Sequence, residues 1–228
     1  MVDERVEPRI SVNKLGEYLV ATPVRRRSII LNQKRPSTFI AARYREAVEA
    51  MISFLERGAI DDDIIYKAID GLSEKPVVGD FQEQDRDLSI EALASFLDMV
   101  DDIELDGLAC RRGETDPPPM DICGVYVSVR PEIVLTGTNR GGGNMVGVIK
   151  IYLAKTHPLT EDAGSYVGTV LQRFASEWLA SYGDVDYRKC HTLDVFAQKI
   201  YSAPRAYRRR QNDIDAACTE ISRIWPFV

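Results

Sequence analysis

The chain has 228 residues, 45% of them apolar and 28% charged, with 15 Gly and 11 Pro, which excludes a disordered, collagenous or low-complexity protein and leaves enough apolar material for a full core. No run approaches the roughly 18 uninterrupted apolar residues of a membrane-spanning helix, and the charged start MVDERVEPRI lacks the apolar stretch of a signal peptide, so a cytoplasmic protein without membrane contact is expected. Cys110, Cys123, Cys190 and Cys218 form no Cys-x-x-Cys pair, which argues against a zinc knuckle or a disulfide framework. The net charge of −6 is strongly segregated: residues 14–45 hold eight basic residues against Glu17, whereas residues 61–106 hold fifteen acids against Lys67, Lys75 and Arg86.

In chain order, Ser11 is placed to cap a short helix carrying Leu15, Tyr18 and Leu19, which Pro23 ends. Ser37 is placed to cap a longer helix with Ile40, Tyr44, Val48, Met51, Ile52 and Leu55 at helical spacing and Gly58 at its stop. The Asp61–Asp63 cluster precedes an apolar stripe of Ile64, Ile65, Ala68 and Ile69 that Gly71 closes. Residues 73–87 read as irregular, and Ser89 opens a helix through Ile90, Leu93, Ala94, Leu97 and Val100. RRGETDPPP then reads as a loop and as a hinge, giving a helical region over 1–109, a Pro-rich loop over 110–120 and a second half over 121–228, with one continuous domain as the alternative.

The second half changes period. Residues 122–135 and 145–153 are rich in β-branched residues, and TNRGGGN between them reads as a hairpin turn. Thr160 caps a long amphipathic helix ending near Gly183, a strand over about 190–201 follows, and a last helix carries Ile214, Ala217, Cys218, Ile221 and Ile224. The fold class expected is α/β or α+β, a mixed sheet flanked by helices. Within the hairpin, Lys150 interrupts a strand that is otherwise apolar on both faces. If the hairpin is symmetric about Gly141, residues whose numbers sum to 282 face one another, so Glu132 stands opposite Lys150. The two are then either a cross-strand ion pair or part of a site that binds something. His157 and His191 lie far apart and read as structural.

Pro131-Glu132 on one strand, Gly147-Val148-Ile149-Lys150 on the next, and then a long helix and another strand resemble the PD-(D/E)XK nuclease superfamily over about residues 120–202. The resemblance implies a restriction-endonuclease-like core in which two acids hold Mg²⁺, which activates a water for phosphodiester cleavage, and a lysine positions that water or stabilises developing charge. Carried over, Glu132 is a metal ligand and Lys150 the catalytic lysine. Val148 stands where the family has its second acid, so Glu46, Glu49, Asp121 or Asp194 would have to supply it, with Glu46 and Glu49 favoured because some branches carry a glutamate on the preceding helix. Arg25, Arg26, Arg27, Lys34 and Arg35, with Arg208, Arg209 and Arg210, are the candidates for guiding a nucleic-acid backbone. The alternative is a noncatalytic module of the same fold that binds nucleic acid, or a protein through the acidic segment 61–106.

Overall fold

A computed structural model describes residues 4–36, 43–105, 107–139 and 141–228, and the Ser37 cap and Ile40 expected above lie outside them. The fold is mixed α/β. The described strands are β1 (Arg9–Ser11), β2 (Ala109–Arg112), β3 (Met120–Ile122), β4 (Val125–Ser128), β5 (Ile133–Thr138), β6 (Asn144–Tyr152), β7 (Asp184–Asp194) and β8 (Lys199–Ser202). The described helices are α1 (Val12–Val20), α2 (Pro23–Lys34), α3 (Arg45–Glu56), α4 (Asp63–Glu74), α5 (Asp80–Val100), α6 (Glu161–Trp178) and α7 (Arg208–Ile224).

Five strands form the main sheet in the order β2-β5-β6-β7-β8 and three form a smaller one, β1-β4-β3. In the main sheet β6 and β7 run parallel, joined by α6, while the other neighbours are antiparallel. β6 is buried on both faces, which suits a central strand covered by helices on either side. On one face Ile133, Leu135, Ile149, Ile151 and Leu193 pack against α3, α4 and α5. On the other, Val148 and Cys190 pack against α1, α2, α6, α7 and the small sheet. The helical region 45–100 therefore shares its core with the main sheet, and the segment expected to be a hinge contributes the edge strand β2.

The β5–β6 register is the symmetric one, with Ile133 opposite Ile149 and Val134 opposite Val148. Other boundaries differ from the sequence reading for definite reasons. Pro23 does not merely follow α1 but opens α2, because Thr22 caps it through Arg25 N–H and proline at the first turn forfeits no hydrogen bond. Gly71 lies inside α4, which runs on to Glu74. Ser89 is buried in the middle of α5, whose start is set by Gly79 at φ 89° with Asp80 and Glu83 in the first turn. The stretch 122–135 divides between two sheets, and 190–201 is two strands turned at Gln198, φ 51°.

α1 seats closely on α6 at Gly16, where a Cβ would stand 2.5 Å from Val167 Cγ2 and 2.9 Å from the Ala163 carbonyl oxygen. Alanine would raise helix propensity by about 1 kcal/mol, but overpacking against a backbone oxygen costs about 1–3 kcal/mol. Gly16→Ala is therefore expected to lower the urea midpoint, and Gly16→Val to lower it further. Equal or higher midpoints would show that α1 sits loosely on α6.

Candidate functional site

Glu132 directly precedes β5, and its N–H donates to the Ile149 carbonyl at 2.9 Å, one residue out of the β5–β6 register, in which Ile149 stands opposite Ile133. Across it, the Lys150 ammonium donates to Glu132 Oε1 and to the Arg130 carbonyl at 2.8 Å, while Glu132 Oε2 accepts the Ile151 N–H at 2.5 Å. Both carboxylate oxygens are thus engaged, and the side chains of Lys150 and Glu132 are only 13% and 14% exposed. Gly113 makes room for this corner: its N–H donates to the Glu132 carbonyl at 2.9 Å, and a Cβ there would fall 2.1 Å from the Pro131 carbonyl oxygen.

The acids considered for a metal site do not converge on Glu132. Val148, on the same sheet face as Lys150, is fully buried in the apolar core. Glu46 pairs with Lys75, and Glu49 holds Arg112 at 2.7 Å, both from α3 on the opposite face of the sheet. Asp121 is spent on the Gly124 N–H at 2.9 Å in the β3–β4 turn. Asp194 is buried and accepts the Leu159 N–H at 2.7 Å; burial raises its pKa, and its work is to hold the loop before α6. A carboxylate facing an ammonium, with a valine in place of a second acid, does not fit a divalent cation, which takes several oxygen ligands.

Beside Lys150 lies a cleft of about 530 Å³ between β1, the first turn of α1, the end of α2 and the strand ends of β4 and β6. Its cationic lining is Arg5, Arg9, Lys14, Arg35, Arg130 and Lys150, with Ser11, Asn13, Asn32, Gln33 and Ser128 between them and no acid in the wall among the described residues. Four of the cations lean on carboxylates: Lys14 on Glu17 at 2.6 Å, Arg35 on Glu4 at 3.3 Å, Arg130 on Asp116 at 2.5 Å, and Lys150 on Glu132. Arg5 and Arg9 have no carboxylate partner among the described residues. Arg5 donates to the Gln33 carbonyl at 3.1 Å and Arg9 to Ser128 Oγ at 3.4 Å. Burial lowers the pKa of Arg5, and repulsion from Arg9 and Arg130 lowers it further. The N-terminal turn of α1, capped by Ser11, adds the positive end of the helix dipole. Asn13 Oδ1 is buried in the same place without a hydrogen-bond partner among the described residues.

Of the cations that the sequence marks, Arg35 and Lys150 line the cleft. Lys34 is buried and holds the carbonyls of Trp225 at 3.0 Å and Val228 at 2.8 Å. Arg25 binds Glu17 at 2.7 Å, Arg26 binds the carbonyls of Tyr18 and Leu19 at 3.0 and 3.2 Å, and Arg27 is exposed. Arg208 and Arg209 are exposed at the start of α7, and Arg210 stands 3.7 Å from Asp162. Arg26 meets Glu220 at 3.7 Å, and Glu220 lies eleven residues along α7 from Arg209. That separation is about 16 Å of helix, so the two basic knots lie at opposite ends of α7. Arg5, Arg9, Lys14 and Arg130 escape the sequence reading of the site; the one signal for them is Arg130 standing directly before Pro131-Glu132.

His157 is exposed against Thr156, whereas His191 is buried on β7, with Nδ1 3.0 Å from Ser202 Oγ and no partner among the described residues for Nε2. Burial, helped by Lys189, lowers the His191 pKa to about 4. A scan against protein-family models matches none, and a search of the curated proteins finds no relative.

Two outcomes follow from this geometry. Removing one member of this half-buried pair strands the other, so Lys150→Met is expected to lose about 1–2 kcal/mol of stability, and Glu132→Leu added to it to recover a large part. Additive losses in that double-mutant cycle would show the two side chains to be uncoupled. For His191, the unfolded chain takes up its proton below about pH 6.5, while the folded chain resists until about pH 4. Stability should therefore fall as pH drops through that window, by up to about 3 kcal/mol. His191→Leu should flatten this part of the stability profile, and an unchanged slope would assign the loss to other groups.

Proposed function

We propose that the protein binds the phosphodiester backbone of a nucleic acid in this cleft, as a noncatalytic module on a scaffold of the PD-(D/E)XK type. The observation that carries the reading is the pair Arg5 and Arg9, two guanidinium groups without a carboxylate partner among the described residues, in a cleft whose described wall holds six cations and no acid. Like charges gathered in a concavity raise a positive potential and repel one another, a cost that a bound anion relieves. Arginine forks, a lysine and a helix N-terminus are the groups that seat phosphate oxygens. A volume of about 530 Å³ admits a nucleotide-sized piece of ligand.

The scaffold reading is supported by element order. Pro131-Glu132 leads into β5, the hairpin returns with Lys150 on β6, and α6 crosses to the parallel strand β7. In this reading Lys150 contacts phosphate and Glu132 is its positioning partner. A metal-dependent cleaving role would require Glu132 to release Lys150, and Val148 offers a cation no second carboxylate. Contacts to phosphate fix register on a strand without reading bases, so weak sequence preference is expected. Among the described residues no helix is long and apolar enough to cross a membrane, and the free thiols of Cys110, Cys123, Cys190 and Cys218 suit a reducing compartment such as the cytosol.

Fluorescence anisotropy with a labelled oligonucleotide in EDTA tests the reading. Binding should occur without divalent metal and weaken with salt. Arg9→Glu and Arg130→Glu should each weaken it about tenfold or more, with a shallower salt dependence, by about 0.7–0.9 in log–log slope for each phosphate that is no longer neutralised. Arg208→Glu with Arg209→Glu should leave binding unchanged. Wild-type affinity in the Arg9→Glu/Arg130→Glu double variant, or binding that appears only with Mg²⁺, would overturn it.

A further inference from the structure

A second depression, of about 320 Å³, adjoins the cleft on the same face of the main sheet. The junction is one peptide bond: Arg130 lines the cleft, and Pro131 lines the groove. From there β5 carries Val134 along its floor, with Phe174 and Leu179 from α6 and the turn that follows. Its walls are Trp178 and Tyr182, which are 46% and 45% exposed, in contrast with Trp225 at 2%. Both aromatic rings flank the C-terminal end of α6, a helix that otherwise buries its large apolar side chains. Arg111 stands at the rim, exposed and without a partner among the described residues. Arg112 beside it is neutralised by Glu49 and Glu56, and Glu114 also reaches the wall.

We propose that this groove seats unpaired bases against Trp178 and Tyr182 while the adjoining phosphates lie in the cleft, so that the ligand is single-stranded nucleic acid. This rests on the cleft being a phosphate site, and it names the class of nucleic acid that site takes. A cationic track followed by exposed aromatic faces is the arrangement that binds single strands, because every base offers a π-face for stacking. In a duplex those faces are covered by neighbouring pairs and the grooves present only base edges and phosphates, so the aromatic walls would have nothing to stack on. Arg111 supplies the complementary charge where the backbone leaves the groove, and can also lie against a base. The stretch from Arg130 to Val134 spans on the order of 13 Å along the strand, a path that a few nucleotides cover.

Tryptophan emission provides a direct readout, since Trp225 is buried and Trp178 is the tryptophan at the surface. Titration with an oligothymidylate of about twelve nucleotides should quench emission, and a blunt hairpin duplex of equal phosphate number should bind more weakly without quenching. Trp178→Ala should weaken single-strand binding about tenfold and abolish the quench, with the salt dependence unchanged, because stacking releases no counterions. Trp178→Phe, which keeps an aromatic face, should retain most of the affinity while losing the quench. If Trp178→Ala binds the single strand as the wild type does, or if the duplex binds equally well, the inference is overturned while an Arg9→Glu-sensitive cleft still stands. Quenching by an apolar peptide but by no oligonucleotide would likewise overturn it, assigning the groove to a protein partner. If neither oligonucleotide binds, the cleft reading falls as well.

Discussion

The ion pair between Lys150 and Glu132 is the constraint on which the geometry of this face depends. A lysine two residues before the end of β6, with its side chain only 13% exposed, would cost about 1–3 kcal/mol if its ammonium were left without a partner. It is tolerated because Glu132 and the Arg130 carbonyl accept hydrogen bonds from it, and Glu132 also accepts one from the Ile151 N–H. These bonds tie the start of β5 to β6 one step beyond the ladder, and Gly113 lets the loop after β2 close over the same corner. Arg130 and Pro131 are thereby fixed at the boundary between the cleft and the groove. Packing on the other side of the cleft works through α1, whose Gly16 brings it onto α6 and so sets where Ser11, Asn13 and Lys14 stand.

The arrangement also shows how a chain with net charge −6 can present a cationic surface. Glu17, Glu4, Asp116 and Glu132 each grip a cleft cation without lining the cleft themselves. Such pairs are worth little as stabilisation where they are exposed, yet they orient side chains that would otherwise spread apart. The densely acidic α4 and α5 pack on the opposite face of the main sheet. A sheet and a helix layer separate the two surfaces by on the order of 10 Å or more, comparable to the screening length at physiological salt, about 8 Å. A ligand at the cleft therefore feels the local charge, two unpaired guanidinium groups beside four paired cations, more than the total charge.

The parts of the fold legible in the sequence are those carried by short-range pattern. The β5–β6 register and the facing of Glu132 and Lys150 follow from strand alternation around a glycine turn, and Ser11 and Thr160 cap helices as their positions suggest. The first turns of α5 are not legible because none of residues 80–88 is buried and they carry no apolar stripe. β1 is three residues long and is defined only by its parallel pairing with β4, more than a hundred residues away. That long-range pairing is what carries Arg9 to Ser128 and thus to Arg130, so no local reading of the N-terminus could assemble the cleft. The conspicuous run Arg25–Arg27 misleads for the opposite reason: Arg25 and Arg26 are consumed by Glu17 and by helix-end carbonyls next to them.

Val148 links the family resemblance to the functional reading. In a nuclease of that pattern, two carboxylates and a cation bring a roughly balanced charge to the phosphate. Here the second carboxylate is replaced by an apolar side chain in the core, and the first is matched by Lys150. Glu132 and Lys150 then cancel, and the excess positive charge comes from the neighbouring Arg5 and Arg9, so that in the proposed reading the cleft has an anion to attract and orient. Arg5 and Arg9, which lean only on a backbone carbonyl and a hydroxyl, are the groups most able to turn toward that anion, because doing so breaks no ion pair. Under the proposed reading the cleft would hold a backbone in place, and the aromatic groove beside Pro131 would give the held strand somewhere to put its bases.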